Sequence, residues 1–171
     1  MAISLYDFSV PVLAHGLTNL SAILDKAAAH SAEKKFDSVV LAQARLFPDM
    51  LPLTSQVQIA CDTAKGAAAR LAGIEVPKHD DTEVTFADLK ARIAKTVDFL
   101  KSVTAAQLKD AESRSIELKF PSATLKFTAV KYLTDFVLPN FYFHLSMVYA
   151  LLRKNGIDVG KGDYLGPIQA S

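Results

Sequence analysis

Leu13, Leu17, Leu20 and Leu24 recur at steps of four, three and four, the spacing that lines one face of an α-helix. From about Ser4 to Lys34 the chain is therefore expected to form one long helix whose leucine row faces a core. On roughly the opposite side stand Phe8, Val12, His15, Asn19 and Ile23, a second, mixed face that needs a second partner surface. A twofold contact between two copies would bury it, so a homodimer is expected. The alternative is cover within one chain, by a hairpin at Ser115 to Phe127 or by the closing "DYLGPI".

Three further long segments read the same way. "FDSVVLAQARLF" is a short helix or turn with Asp37 as its cap, and the stretch from Asp49 to Ala72 is a long helix with Asp49 as cap and Gly73 as its stop. Its inward stripe is Met50, Leu53, Val57, Cys61, Ala64, Ala68 and Leu71, several of them small enough for a neighbour to approach closely. "IEVPKHDDTEV" is a polar connection. Thr85 and Asp88 have the spacing of a capping box before the third long helix, and Thr104 and Gln107 repeat it over a short turn. "SIELKF" and "TLKFTA" alternate apolar and polar residues and form a small hairpin through Pro121, Ser122 and Ala123. The last long helix runs from about Ala129 to Asn155, with Thr128 as cap, Gly156 as terminator and a kink at Pro139. The tail beyond it is expected to pack without regular structure. Four long helices and a hairpin before the last make an all-α four-helix bundle. At 171 residues the chain, 1–171, is one domain.

A formal net charge of +1 with interspersed signs leaves no electrostatic footprint for nucleic acid or an anionic membrane. The N-terminus lacks the basic region of a secretory signal, no apolar run spans a bilayer, and Cys61 is the single cysteine. A cytoplasmic protein is expected.

The last helix carries two polar residues on its apolar side. A helical wheel puts Leu133, Val137, Asn140, His144, Val148 and Leu151 together. A buried imidazole and a buried amide each need a hydrogen bond. They satisfy each other and a carbonyl or water, or they line a cleft as metal ligands or as the anchor of a small molecule. Their i, i+4 spacing lets both converge on one point, although asparagine is a poor ligand for a transition metal. Tyr142 and Phe143, with Tyr6, Phe8 and Tyr149, supply aromatic lining or core packing. Cys61 lies on the inward stripe as a small hydrophobe, or as a nucleophile if Lys65 lowers its pKa.

The order of helices, "PDMLPLTSQVQIACDTAKGAAARLAG", "LPNFYFH", "LLRKNG" and "GKGDYLG" resemble the DinB/YfiT-like superfamily of metalloenzymes, and within it a mostly bacterial family of unknown function. The resemblance covers nearly the whole chain. It implies three histidine ligands for a divalent metal, one on the second long helix and two as His-x-x-x-His on the last, with thiol-dependent transfer or isomerisation in some members. Here His144 matches the second histidine of that pair, Asn140 stands at the first, and Gln58 is near the expected place on the second helix. Two amides and one imidazole bind zinc or nickel far less tightly than three imidazoles. Asp62, one turn from Gln58, would be a ligand or an orienter of an imidazole, or simply a partner of Lys65. No cofactor is expected; a divalent metal, zinc or nickel, is the alternative, with His144 as its ligand in a degenerate site of His144, Asn140, Gln58 and Asp62.

Three functions are compatible with the sequence. The first is a small-molecule-binding bundle with a degenerate metal site and a pocket around His144, Asn140, Gln58 and Asp62. The second is a metal-dependent, thiol-using transferase or isomerase. The third is a homodimeric stress or structural protein without chemistry.

Overall fold

The computed structural model describes residues 4–167. Four long helices, α1 (Val10–Lys34), α3 (Leu53–Ala72), α4 (Phe86–Ser102) and α6 (Leu138–Lys154), form the bundle. Between them lie the short helices α2 (Val39–Ala42) and α5 (Ala129–Lys131) and the antiparallel hairpin β1 (Ser115–Lys119) and β2 (Thr124–Thr128), and the short helix α7 (Lys161–Leu165) follows the last. A 3₁₀ turn occupies Ala105–Leu108. Helix α3 is central and packs against both α4 and α6, while α1 packs chiefly against α4. The bundle and the hairpin before the last long helix are those expected from the sequence. Among the described residues no helix is long and apolar enough to cross a membrane.

Two helix starts fall later than the sequence suggests, and proline is the cause of both. Pro11 occupies the first turn of α1. A helix continued upstream would drive its ring into the carbonyl of Asp7, so Leu5 to Ser9 form a turn instead. Pro52 precedes α3 in an extended conformation, φ −68° and ψ 166°, so Asp49 caps nothing. The other caps form. Asp37 Oδ1 accepts from Val39 N at 2.9 Å, and Thr85 Oγ1 and Asp88 Oδ2 exchange the reciprocal bonds of a capping box.

The backbone of the last long helix widens into a π-turn over Tyr132–Val137, where Leu138 N reaches Leu133 O, and Pro139 sits in the first turn of α6. The missing amide of Pro139 is absorbed by this change of register. Tyr132 stacks on Phe136, and the hairpin covers the turn through Phe127, whose ring centroid is 6.1 Å from that of Tyr132. On β1, Ile116 and Leu118 point into the core.

The tail is more regular than expected. Helix α7 lies on α1, and the carbonyl of Leu165 accepts from His15 Nε2 and from Asn19 Nδ2, each at 2.9 Å. Lys26 Nζ binds Asp163 Oδ1 at 2.8 Å. Asn19 and Ile23 are buried. The closing segment thus covers Asn19 within one chain through these bonds, while Phe8 and His15 of the second face stay exposed and Val12 half-buried.

Candidate functional site

The chemistry-bearing residues fall on the two flanks of α3. Fifteen of its twenty residues are buried, because it contacts α4 on one side and α6 on the other. Residues two apart point some 200° from each other on a helix, so Gln56 and Gln58 go to different neighbours.

On the α6 flank, Gln56 and His144 are both buried. Gln56 Nε2 donates to the carbonyl of Leu51 at 3.1 Å, which identifies its other terminal atom as the oxygen. That oxygen lies 2.7 Å from His144 Nδ1, so the ring proton is on Nδ1 and Nε2 carries the lone pair. Burial lowers the His144 pKa below its ordinary value, which favours this neutral tautomer near pH 7. Nε2 has no hydrogen-bond partner among the described residues and is not enclosed. One turn earlier on α6, half-buried Asn140 donates from Nδ2 to Thr63 Oγ1 at 2.8 Å. Two polar pairs, Gln56 with His144 and Thr63 with Asn140, therefore bridge the α3/α6 seam. Asn140 and His144 do not bond each other.

Gln58 turns to the α4 flank, where its Nε2 donates to Glu83 Oε2 at 2.8 Å. Asp62 is there too, bound to Lys65 Nζ at 2.5 Å and to Arg92 Nη2 at 2.7 Å. The structure thus does not bring Gln58 or Asp62 to His144. The amide at the histidine is Gln56, which the inward stripe of α3 left out.

Cys61 is fully buried on this second flank, beside Thr96, and burial pushes its thiol up to about 12. It is a packing residue rather than a nucleophile. The ring of Phe143 stands edge-on to His144, with centroids 5.2 Å apart, whereas Tyr142 projects from the other side of α6. Phe8 lines an apolar cavity of about 450 Å³ with Leu5, Val130, Leu133 and Leu138. Tyr149 packs on Tyr164 of α7.

The donor set at the seam is one imidazole, two amides and a hydroxyl, all neutral. Among the described residues no three His, Cys, Asp or Glu side chains are grouped as metal ligands. Such a set does not fit a tightly held zinc or nickel, which take imidazole, thiolate or carboxylate. What the seam offers is a fixed, unprotonated Nε2 beside an amide.

Sequence reasoning also missed Arg92. Its side chain is 1% exposed, and it meets Asp62, Asp81 and Glu83 beneath the connection between α3 and α4. A signal existed, since Arg92 falls in the apolar register of Leu89, Ile93 and Thr96 on α4.

Comparison with known proteins agrees with this architecture. The family described as "Domain of unknown function (DUF1993)" matches residues 5–165. A crystal structure of a DinB family member protein from Shewanella denitrificans is 42% identical, superposes with a TM-score of 0.90, and covers 98% of this chain and 94% of that one. No curated protein matches the sequence.

Proposed function

The chain belongs to the DUF1993 family, and from that premise we propose that it is a DinB-like bundle that binds a small polar molecule at the α3/α6 seam, in place of a degenerate metal site. One observation carries the proposal. The relay from Leu51 O through Gln56 to His144 Nδ1 holds the imidazole with its Nε2 lone pair free. A ligand donating an N–H or O–H would meet Nε2, with Asn140 one turn along the helix and the exposed ring of Phe143 as an apolar flank. The same tautomer would suit a metal, since histidine ligands are oriented by an acceptor at their other nitrogen. The remaining partners at the seam are amides and a hydroxyl, which favours an organic ligand.

The metal-dependent, thiol-using transferase is the competing reading, and one experiment addresses both. Protein purified without an affinity tag is assayed for metal and, after denaturation, for released small molecules by mass spectrometry. A released molecule that is lost from His144→Leu supports the binding role. About one zinc or nickel per chain that resists mild chelation favours the metalloenzyme.

A further inference from the structure

None of the seam residues lines the apolar cavity beside the N-terminal turn. Its two walls come from two irregular pieces of backbone. Pro11 stops α1 at its first turn and leaves Leu5 to Ser9 as a turn, which Ser4 fixes by donating from N and Oγ to Asp7 Oδ2 at 3.1 and 2.8 Å. Leu5 and Phe8 of that turn form one wall. The other is built around the π-turn Tyr132–Val137: Val130 precedes it, Leu133 lies in it and Leu138 follows it. A π-turn is wider than an α-helix and recurs at functional sites. The hollow between the walls measures about 450 Å³, inside the range of sites that bury a small organic ligand, about 300–1,000 Å³. Phe8 and Val130 are 51% and 41% exposed, so a ligand with an apolar body would bury side chains that the free chain leaves in water.

The edge of the hollow specifies the other end of the ligand. Glu112 lines it, and the lining hydroxyls of Ser4 and Thr134 each donate to a carboxylate, Asp7 Oδ2 at 2.8 Å and Asp135 Oδ1 at 2.7 Å. These bonds hold both acids below the usual carboxylate range. Against the three carboxylates stands the ammonium of Lys131, 3.4 Å from Asp135 Oδ2. Lys126 pairs with Glu117 at 2.8 Å and Arg114 donates to the carbonyl of Leu71, so neither meets Glu112, which has no partner among the described residues. An anionic amphiphile would be repelled at this edge, and a cationic one attracted. We infer that the hollow is a binding site for a small amphiphilic amine, with its apolar body between the turn at Phe8 and the π-turn and its ammonium at the carboxylate of Glu112.

The test uses the full chain with ¹³C-labelled valine and leucine methyl groups and follows Val130 and Leu138 during titration with 2-phenylethylamine near pH 7. 2-Phenylethanol and 3-phenylpropionate serve as neutral and anionic comparators at constant ionic strength. Saturable shifts are expected, with the amine about threefold tighter than the alcohol, as for a solvent-exposed ion pair, and the propionate weaker than both. Binding should persist in His144→Leu, which separates this site from the α3/α6 seam. Glu112 is exposed, so Glu112→Gln should fold, bind the alcohol as before and lose the preference for the amine. Phe8→Ala should weaken all three about fivefold. Failure of the amine to saturate would overturn the proposal. So would an amine that binds no tighter than the alcohol or the propionate, a preference that survives Glu112→Gln, or methyl shifts that grow with protein concentration alone, which would put a second copy in the hollow.

Discussion

Gly16 of α1 faces Phe141 of α6 so closely that a Cβ at residue 16 would stand 2.7 Å from Phe141 Cε1 and 3.1 Å from Leu145 Cδ2. An alanine at a helix-interior glycine ordinarily gains about 1 kcal/mol. Here the ring it would strike is fully buried, and overpacking a core costs about 1–3 kcal/mol. Gly16→Ala should therefore destabilise, by about 1 kcal/mol net. Urea denaturation checks the sign, and a gain in stability would show that Phe141 can retreat.

At the seam, Gln56→Leu and His144→Leu should each cost about 1–3 kcal/mol, because each leaves a buried partner unpaired. The double variant leaves neither, so its loss should fall short of the sum. Additive losses in that cycle would mean the 2.7 Å contact carries no coupling.

Acid should weaken the fold through the same histidine. The folded pKa of His144 lies below the ordinary 6.5 because burial disfavours the imidazolium. As pH falls below about 6.5 the unfolded chain takes up the proton first, so this contribution is complete above that value and is lost as pH drops through the interval down to the folded pKa. His79 shifts in the same direction. The urea midpoint should fall between about pH 7.5 and about pH 5.5, and fall less in His144→Leu; an identical fall in both proteins would rule out His144 as a contributor.

Arg92→Met should be among the costliest single changes. Removing one member of a buried ion pair costs about 3–5 kcal/mol, and the low end applies because Asp62 and Asp81 are 42% and 60% exposed. Thermal unfolding gives the value. A loss below about 1 kcal/mol would mean that the carboxylates move out into water without penalty.

Cys61 offers a direct probe of opening. With its thiol pushed up to about 12, it should resist thiol reagents at neutral pH in the native protein and react at the rate at which the α3/α4 contact opens. Rapid stoichiometric labelling would contradict its burial.

The bundle was legible because its signals are local and repeated. The leucines of α1, the box at Thr85 and Asp88, the glycine stops and the alternation at Ile116 and Leu118 each specify an element without reference to the rest of the chain. The site was only half legible. A single-sided wheel finds His144, since α6 buries one stripe, but it cannot choose between Gln56 and Gln58 on a helix buried on two flanks. Arg92 was signalled only by its register on α4, because the acids that meet it come from α3 and from the adjoining connection and no pattern in the sequence announces them. The contact of the closing segment with α1 is equally non-local, for the carbonyls of Tyr164 and Leu165 and the carboxylate of Asp163 meet side chains of α1 nearly 150 residues away, and the sequence offered that cover only as an alternative to a twofold contact.

That cover also has a thermodynamic consequence for recognition. Helix α7 hangs from α6 by the short link from Asn155 to Gly160, so it confronts α1 at an effective concentration of roughly millimolar. Any second protein seeking the same face competes with a tethered rival, and at micromolar concentration its own affinity must overcome a disadvantage of about a thousandfold. The chain is in this sense self-inhibited as a binding partner where α7 lies on α1, and severing it after Gly156 would remove the inhibitor while leaving the surface it guards.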